Sequence, residues 1–339
     1  MRSFEQSTCP NCNGVGEPRY VDLQDHLFRA PGRWSMRHCL NRDCGAFWLD
    51  PAPTPEDLPV AYREYYTHVA ERCNEGRTGF VSKVRSGFVE RRLGYTIGAS
   101  ATARRVAMLA GLSEHSQAWL YEYFYLPSRR GGRLFEIGCG SGRQLLAMRA
   151  AGWDVQGVDF DPEAVAVARS GGLDVAVGDV RDLDLDASQF DAIVMAHVLE
   201  HVFDPIGLLT ECNRLLKPGG TLVSITPNGA SLGHRIFKRA WRGIEPPRHI
   251  VVFTPRALRL ACERSGLALD RVDVTARDAA NMLLASSRTR AAADGEQIEP
   301  PSRNVRIPLV FHGLAFLERL GDWFGLDWGE ELILRARKR

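Results

Sequence analysis

The chain has 339 residues, and its 43 basic and 41 acidic side chains give a formal net charge of +2. This near-balance argues against a surface built mainly to bind nucleic acid or an anionic membrane. Hydrophobic residues at 45% and charged residues at 25% are ordinary for a globular protein and exclude a largely disordered or fibrous chain. The sequence lacks both a signal-peptide core and the roughly 18 consecutive apolar residues that span a bilayer, so we expect a cytoplasmic protein.

Residues 1–59 predict a small module held together by a metal ion. Half of the eight cysteines lie there: Cys9, Cys12, Cys39 and Cys44. Two pairs at about zinc-ribbon spacing supply four thiolates, which suit tetrahedral zinc. The second pair is separated by four residues where a usual ribbon has two, so His38 could replace one ligand. A short segment poor in apolar residues needs a cross-link such as a bound metal ion to fold stably, and we therefore expect structural zinc. Uncoordinated thiols or a redox pair are the alternatives.

Residues 60–131 predict a helical connector or lid, and residues 132–339 predict a parallel sheet wound with crossover helices, an α/β fold. Short apolar runs give seven candidate strands at 134–137, 155–158, 175–177, 192–195, 221–225, 269–275 and 332–335. Amphipathic segments give candidate helices at 144–151, 163–170, 205–216 and 255–265. Insertions near 228–254 and 285–328 interrupt this alternation, and the family resemblance described below implies that they face the acceptor.

One apolar stripe at helical spacing lies inside the second insertion, just before the last strand. It consists of Ile307, Val310, Phe311, Leu314, Leu317, Leu320 and Phe324. The pattern predicts a helix packed on the core or lid. An apolar substrate entrance or a peripheral contact with a membrane surface is the alternative.

A glycine-rich loop follows the first strand of the predicted sheet, in the segment Glu136-Ile-Gly-Cys-Gly-Ser-Gly-Arg. Gly138, Gly140 and Gly142 let the main chain turn tightly and approach a ligand at the start of the next helix. A dinucleotide fingerprint needs its third glycine where Arg143 stands, so a pyrophosphate cradle is disfavoured.

Acidic side chains follow the next two strands. Asp159 stands 159 − 138 = 21 residues after the first glycine of the loop, a spacing at which a carboxylate can bind both hydroxyls of a ribose. Asp179 follows the third strand at the same edge of the sheet, where it could accept a hydrogen bond from an adenine amino group. Phe160 could lie on the adenine face.

These ordered motifs resemble the class I S-adenosylmethionine-dependent methyltransferases, a Rossmann-like seven-stranded fold, over roughly residues 132–338. The similarity extends to Phe190-Asp-Ala-Ile-Val, to His197-Val-Leu-Glu-His201 and to Leu215-Leu-Lys-Pro-Gly-Gly-Thr-Leu. It implies that the methionine end of the cofactor lies near Glu136, the glycine loop and Cys139. The ribose would bind Asp159, and the adenine would lie beside Asp179 and Val180.

His197, Glu200 and His201 would share one face if their segment is helical. A similar tract in ubiquinone-pathway and small-RNA 2′-hydroxyl methyltransferases supplies metal ligands, beginning with Glu where this chain has His197. The three side chains could therefore hold a divalent ion that acidifies an acceptor hydroxyl. A large branch with a comparable tract has no established catalytic metal. Contacts to the cofactor, especially from His197, contacts to the acceptor, and packing remain open.

His249 lies in Pro246-Pro-Arg-His, which resembles a segment of a broad bacterial small-molecule branch. A histidine there has the intrinsic pKa to accept a proton from a hydroxyl or a carbon acid, so it is a candidate acceptor contact or base. The alternative is a hydrogen bond that fixes the loop. Glu245 and Tyr66 are weaker candidates for the same pocket.

The amino-terminal module resembles that of bacterial methyltransferases acting on sugars and other intermediates. The resemblance implies methyl transfer to oxygen or carbon of a small acceptor, sugar-linked or lipid-linked. Certain ribosomal-RNA methyltransferases also carry an amino-terminal zinc module, which makes RNA modification the main alternative. The balanced charge and the lack of an aromatic, basic platform argue against a nucleic-acid partner. A methyltransferase-like scaffold without turnover is disfavoured because Glu136, Asp159 and Asp179 are present.

Overall fold

The computed structural model describes residues 1–62, 80–100, 102, 105–106, 116–297 and 306–339. Tyr66 and much of the predicted connector lie outside the described residues. The chain divides into two compact units. One comprises residues 1–66, 197–213 and 224–336, and the other comprises residues 67–196, 214–223 and 337–339.

The strands in chain order are β1 (Ser3–Phe4), β2 (Gly16–Leu23), β3 (Trp34–Cys39), β4 (Phe47–Leu49), β5 (Ala52–Pro53), β6 (Arg133–Ile137), β7 (Asp154–Asp159), β8 (Asp174–Val177), β9 (Phe190–Ala196), β10 (Leu216–Pro227), β11 (Val251–Val252), β12 (Ala268–Thr275) and β13 (Glu331–Arg337). The helices are α1 (Phe80–Leu93), α2 (Ser116–Tyr121), α3 (Arg143–Ala150), α4 (Pro162–Ser170), α5 (Pro205–Leu215), α6 (Leu232–Phe237), α7 (Pro255–Arg264), α8 (Ala279–Ala293) and α9 (Leu309–Trp323).

The predicted seven-stranded sheet is confirmed, with strand order β12-β13-β10-β9-β6-β7-β8. Strand β6 pairs in parallel with both β7 and β9, and β7 pairs in parallel with β8. Central strand β9 is apolar except for Asp191 and almost entirely buried, as expected for a strand covered on both faces. Strand order reverses at β6, so the carboxyl ends of β6 and β7 form the edge where such sheets bind ligands.

Local capping explains where the crossover helices begin. The Asp161 side chain accepts a hydrogen bond from the Glu163 main-chain N at 2.9 Å, and Pro162 occupies the first position of α4. Thr254 caps α7 in the same way by accepting from the Ala257 N at 3.1 Å. Each side chain satisfies a main-chain donor that the first helical turn leaves without a partner.

A second sheet belongs to the first unit and has strand order β11-β4-β3-β2. Its outer strand, β11, is far along the chain and pairs antiparallel with β4 in the amino-terminal module. The Leu49 N also donates to the Ile250 carbonyl at 3.0 Å. The chain immediately after His249 is therefore part of the sheet formed by the amino-terminal strands.

Helix α9 is present where the apolar stripe predicted it, but the predicted packing of that stripe is wrong. None of its seven residues is buried: Val310, Leu317 and Phe324 are exposed by 61%, 47% and 76%, and the other four are half-buried. The buried side of α9 is formed by small residues and a carboxyl group, namely Ala315, Glu318 and Gly321. Ala315 packs on Ala276 and Ala279 at the start of α8.

Glu318 and Glu330 form a buried carboxyl pair beneath α9. The Glu330 carboxylate accepts hydrogen bonds from Trp241 Nε1 at 2.6 Å and from the Gly233 N at 3.0 Å. Both Glu318 oxygens are buried without a hydrogen-bond partner in the described structure. Burial and the neighbouring Glu330 charge raise the pKa of Glu318, and burial raises the pKa of Glu330. The folded chain therefore retains protons here that an unfolded chain would release.

We expect this pair to make the protein less stable as pH rises. An acid whose pKa is raised by folding stabilises the native state at low pH, and that contribution is lost between the unfolded and the folded pKa. Each retained proton changes the free energy of unfolding by up to about 1.4 kcal/mol per pH unit. Urea unfolding between about pH 5 and 9 should show this decline, and Glu318→Gln should flatten it. Glu263→Gln, on the exposed side of α7, is the matched control; equal slopes for both variants would contradict the interpretation.

Candidate active site

The glycine-rich loop joins β6 to α3 in the second unit and has the backbone that its sequence predicts. Gly140 has a φ of 51°, and a Cβ built there would meet no atom within 4 Å, so the main chain borders open space. Gly142 has a φ of 77°, and its Cβ would lie 2.2 Å from Leu173 Cδ1. One glycine thus leaves room above the loop, and the other permits close packing of the helix start.

Glu136 lies in β6 just before this loop, and its buried carboxyl group is incompletely hydrogen-bonded. Its side chain is only 2% exposed, and Oε2 has no hydrogen-bond partner in the described structure. Burial, followed by the nearby Asp159 charge, raises the pKa of the Glu136 carboxyl. A buried carboxylate without a donor is costly. An ammonium group from a ligand would supply the missing donor.

Asp159 ends β7 and fixes the loop from the opposite strand. Its Oδ2 accepts from the Gly140 N at 2.7 Å, and its Oδ1 accepts from the Asp161 N at 2.9 Å. Each oxygen retains lone-pair capacity, so ribose hydroxyls could share this carboxylate. Burial raises the pKa of Asp159, although these main-chain donors oppose the shift.

The other predicted cofactor residues differ in exposure. Phe160 is 57% exposed, whereas Val180 and Cys139 are buried. The Asp179 side chain accepts from Arg181 Nη2 at 2.6 Å and from Nε at 2.9 Å. This pairing lowers the pKa of Asp179. An adenine amino group at Asp179 would share a carboxylate already bound to arginine.

His197 lies in the first unit and contacts two buried carboxylates. Its Nδ1 lies 3.3 Å from Glu200 Oε1, and its Nε2 lies 3.2 Å from Glu331 Oε1. Arg277 forms an ion pair with Glu331, and its Nη2 lies 3.3 Å from His197 Nε2. The His197 backbone is left-handed, with a φ of 56° that is rare for a residue with a side chain. Both ring nitrogens contact these partners, and the group of converging ligand atoms found in the described residues consists of Glu200, His201 and His249 without His197.

Glu200, His201 and His249 form one polar cluster. The first two belong to the His197–His201 motif, and His249 belongs to the separate Pro-Pro-Arg-His motif. One ligand atom from each lies within 4.8 Å of the others. His249 Nδ1 donates to the Gly243 carbonyl at 2.8 Å, and His201 Nδ1 donates to the Arg248 carbonyl at 2.9 Å. A carbonyl oxygen can only accept, so each ring carries its proton on Nδ1 when neutral. The Tyr62 hydroxyl also lies 3.0 Å from His201 Nδ1, and His249 Nε2 lies 3.4 Å from Glu245 Oε2. Such carbonyl–imidazole bonds commonly orient metal ligands.

The protonation states of this cluster also suit a cation. Burial lowers the pKa of His249 to about 4. Burial alone would raise the pKa of Glu200, but the hydrogen bond from His197 and the neighbouring imidazoles lower it to about 2. Thr226 Oγ1 donates to Glu200 Oε2 at 2.9 Å. At neutral pH the cluster therefore offers one carboxylate and a neutral imidazole, His249.

Arg248 is a residue of this region that the sequence analysis missed. It is fully buried; its Nε donates to Glu245 Oε1 at 2.8 Å and its Nη2 to Asp25 Oδ2 at 2.6 Å. Glu245 also pairs with Arg242. The ion network fixes the Pro-Pro-Arg-His loop, and Glu245 is therefore occupied as a structural partner. In the sequence, the only indication of its role is its position directly before the candidate histidine, His249.

The four cysteines of the amino-terminal module meet as predicted. Their sulfur atoms lie within 4.8 Å of one another, with Cys12 Sγ 3.4 Å from Cys39 Sγ and Cys9 Sγ 3.9 Å from Cys44 Sγ. A tetrahedral zinc site with bonds of about 2.3 Å has sulfur–sulfur edges of about 3.8 Å. The suggested replacement of a ligand by His38 is wrong, because His38 packs on Phe47 instead.

Hydrogen bonds join this cysteine cluster to helix α7. Thr254 Oγ1 donates to the Cys44 carbonyl at 2.7 Å, and Asn11 Nδ2 donates to the Ala257 carbonyl at 3.0 Å. Both bonds are buried. The cluster therefore supports the chain on the carboxyl side of His249, together with the pairing of β11 and β4.

Comparison with known proteins identifies one domain. Residues 114–272 match a family model described as a methyltransferase domain. Over 105 residues, the chain is 41% identical to the ubiquinone biosynthesis O-methyltransferase of Xanthomonas oryzae pv. oryzae, a match that covers 29% of this chain and 44% of the relative. A relative of the same name from Cereibacter sphaeroides is also 41% identical over 105 residues, 29% of this chain and 42% of that protein. The chain thus matches less than half the length of these relatives.

A solved structure similar to this chain is a SAM-dependent methyltransferase from Archaeoglobus fulgidus. It is 20% identical, covers 74% of this chain and 98% of its own, and has a TM-score of 0.45. A likeness this distant carries no argument about the site.

Proposed function

We propose that this chain, which carries a class I S-adenosylmethionine-dependent methyltransferase domain, transfers a methyl group to oxygen or carbon of a small biosynthetic intermediate. The observation that carries the proposal is the buried Glu136 Oε2, which has no hydrogen-bond partner among the described residues and lies near an open glycine loop and Asp159. A ligand with an ammonium group and a ribose would donate hydrogen bonds to both residues, the ammonium group to Glu136 and the ribose hydroxyls to Asp159. The relatives named O-methyltransferases favour a small acceptor, and we favour a sugar-linked or lipid-linked one.

In this proposal the chain binds and orients the cofactor chiefly through the glycine loop and the side chains that follow β6, β7 and β8. Glu136 accepts from the methionine ammonium, and Asp159 accepts from the ribose hydroxyls. Phe160 and Asp179 border the adenine. The sulfonium supplies an electrophilic methyl group, so the protein needs chiefly to align an acceptor and exclude water.

Replacing Glu136 with glutamine should weaken cofactor binding. The variant removes the charge that pairs with the ammonium group, and a hydrogen bond to a charged group contributes about 1.5–3 kcal/mol. We expect the Kd for S-adenosylhomocysteine to rise by about 10-fold to 100-fold, measured from the ligand dependence of the melting temperature. Glu163→Gln, on the exposed face of α4, should bind as the unmodified protein does. Equal affinity of the two variants would remove Glu136 from the cofactor site.

We further propose that Glu200, His201 and His249 activate the acceptor by holding a divalent cation. The donor set fits, since one carboxylate oxygen and one ring nitrogen from each of two imidazoles lie within 4.8 Å of one another. A bound cation would lower the pKa of an acceptor hydroxyl. With a pKa of about 4, His249 is a weak base, and this favours a ligand role over the proton acceptor expected from sequence. His197 remains a proposed cofactor contact.

For the cysteine cluster we propose structural zinc, held by Cys9, Cys12, Cys39 and Cys44. The proposal is supported by the sulfur geometry and by the buried bonds from the cluster to α7. Zinc in this role would fix the amino-terminal module, and no step of methyl transfer depends on its chemistry.

The direct test of function is turnover. The purified chain with S-adenosylmethionine should form S-adenosylhomocysteine when supplied with phenolic, sugar-nucleotide or lipid-linked acceptors, and the methylated product should be identified by mass spectrometry. Turnover with ribosomal RNA alone would replace the small-acceptor proposal. Binding of S-adenosylmethionine without turnover on any of these acceptors would favour a silent scaffold.

A further inference from the structure

The side chain of Tyr62 lies against the Glu200, His201 and His249 cluster. Tyr62 ends a short 3₁₀ helix, Leu58–Tyr62, that follows the strands of the amino-terminal module. Its hydroxyl oxygen lies 3.0 Å from His201 Nδ1. The two rings meet edge to face, with centroids 6.1 Å apart and planes inclined by 63°. An early segment of the chain thus adds a half-buried side chain to a cluster whose other members come from much later in the sequence.

Two oxygen atoms lie beside the same nitrogen of His201. Nδ1 donates to the Arg248 carbonyl at 2.9 Å, and the Tyr62 oxygen lies at nearly the same distance from that nitrogen. Two contacts restrict the plane of an imidazole ring more closely than one does, because hydrogen bonds weaken steeply when the ring turns away from its partners. The direction in which the rest of the ring points is therefore fixed from the Nδ1 side.

A buried arginine fixes the main chain beside Tyr62. Arg248 is fully buried, and its Nη1 donates to the Ala61 carbonyl at 2.7 Å. Its Nη2 forms an ion pair with Asp25 at 2.6 Å, so the guanidinium is itself held in place. The same residue thus holds the main chain next to Tyr62 and supplies the carbonyl that binds His201. Both oxygen atoms beside His201 are therefore attached to one buried network.

The position of His201 also affects its neighbour in the cluster. The His201 and His249 rings meet edge to face, with centroids 4.8 Å apart and planes inclined by 68°. Tyr62, His201 and His249 consequently form one continuous row of rings. A change at the Tyr62 end of this row is expected to alter the relative placement of the two imidazoles.

We propose that Tyr62 is a positioning residue of this cluster, and that its hydroxyl group fixes the His201 imidazole in the orientation that binds the cation. The inference rests on the proposed role of Glu200, His201 and His249 as a cation site. It extends that role to the amino-terminal segment, which then completes the site with a side chain of its own. Tyr62 acts through His201 and has no contact with the cation.

Titration of the full, zinc-loaded chain with Mn²⁺, followed by electron paramagnetic resonance, tests this inference. Tyr62→Phe removes the hydroxyl group and keeps the ring. We expect the Kd for Mn²⁺ to rise about 10-fold and kcat to fall by a similar factor, because groups that orient metal ligands contribute about 10-fold to 100-fold to metal affinity or activity. The Kd for S-adenosylhomocysteine should be unchanged, because Tyr62 is not among the residues proposed to contact the cofactor.

The matched control is Tyr20→Phe. The Tyr20 hydroxyl lies 3.0 Å from Nε2 of His234, a histidine outside the cluster, so the control removes a similar contact elsewhere. Tyr20→Phe should bind Mn²⁺ as the unmodified chain does, and circular dichroism should show that both variants are folded. If Tyr62→Phe binds Mn²⁺ as tightly as Tyr20→Phe, the role of Tyr62 is overturned and the cation site stands. If the unmodified chain does not bind Mn²⁺, both fail together, whereas methyl transfer is judged separately by formation of S-adenosylhomocysteine.

Discussion

The variant Cys44→Ala is expected to lose its zinc and most of its stability. Four sulfur atoms converge within 4.8 Å, and Cys44 is also bound through its carbonyl to Thr254 at the start of α7. Structural zinc contributes folding free energy directly, with apparent values of about 10–16 kcal/mol in zinc-finger peptides. Loss of one ligand is therefore expected to lower the free energy of unfolding by more than about 4 kcal/mol, a loss that few single substitutions cause.

Metal content and urea unfolding measure this effect together. Purified protein should contain one zinc per chain, and Cys9→Ala should behave as Cys44→Ala does. Cys212→Ala and Cys262→Ala are matched controls, because both cysteines are buried in helices outside the cluster. They should retain zinc and lose far less stability. A chain that is free of metal and yet as stable as the zinc-loaded preparation would contradict the assignment.

The variant His249→Ala is expected to lower kcat about 100-fold or more. It removes one imidazole from the Glu200, His201 and His249 cluster, and even the loss of groups that only orient metal ligands costs about 10-fold to 100-fold. Its affinity for S-adenosylhomocysteine should be unchanged, because His249 is not among the residues proposed to contact the cofactor. Unchanged affinity would show that the variant is still folded and that the lower kcat comes from a loss of acceptor activation.

Two readouts distinguish the possible roles of His249. As a metal ligand, His249 would give a Mn²⁺ spectrum by electron paramagnetic resonance that His249→Ala and His201→Ala both abolish. As a base with a pKa of about 4, it would give activity that is lost as pH falls through about 4, with no metal requirement. A His249→Ala variant with parental kcat would exclude both roles.

The parallel sheet could be predicted because its signals are local. Apolar runs gave the strands, and pairs such as Asp161-Pro162 gave the helix starts within a residue or two. The two-residue strand β11 could not be predicted, because its pairing with β4 joins segments about 200 residues apart. For the same reason, the sequence placed His249 and His201 in separate motifs.

The errors have a physical reason as well. A helical period tells which residues share a face, but it does not tell which face points inward, and the stripe on α9 was predicted to pack on the core or lid. Arg248 was overlooked because an arginine is expected at the surface unless its ion-pair partners are known. Those partners, Asp25 and Glu245, are brought together by the fold.

Titration calorimetry of the zinc-loaded chain with S-adenosylhomocysteine tests the central claim most directly. Glu136 and Asp159, with the open glycine loop between them, predict one site per chain and measurable heat of binding. They also predict no comparable heat with a nicotinamide dinucleotide, for which the loop lacks the third glycine. A folded chain that binds the dinucleotide and gives no heat with S-adenosylhomocysteine would contradict the account.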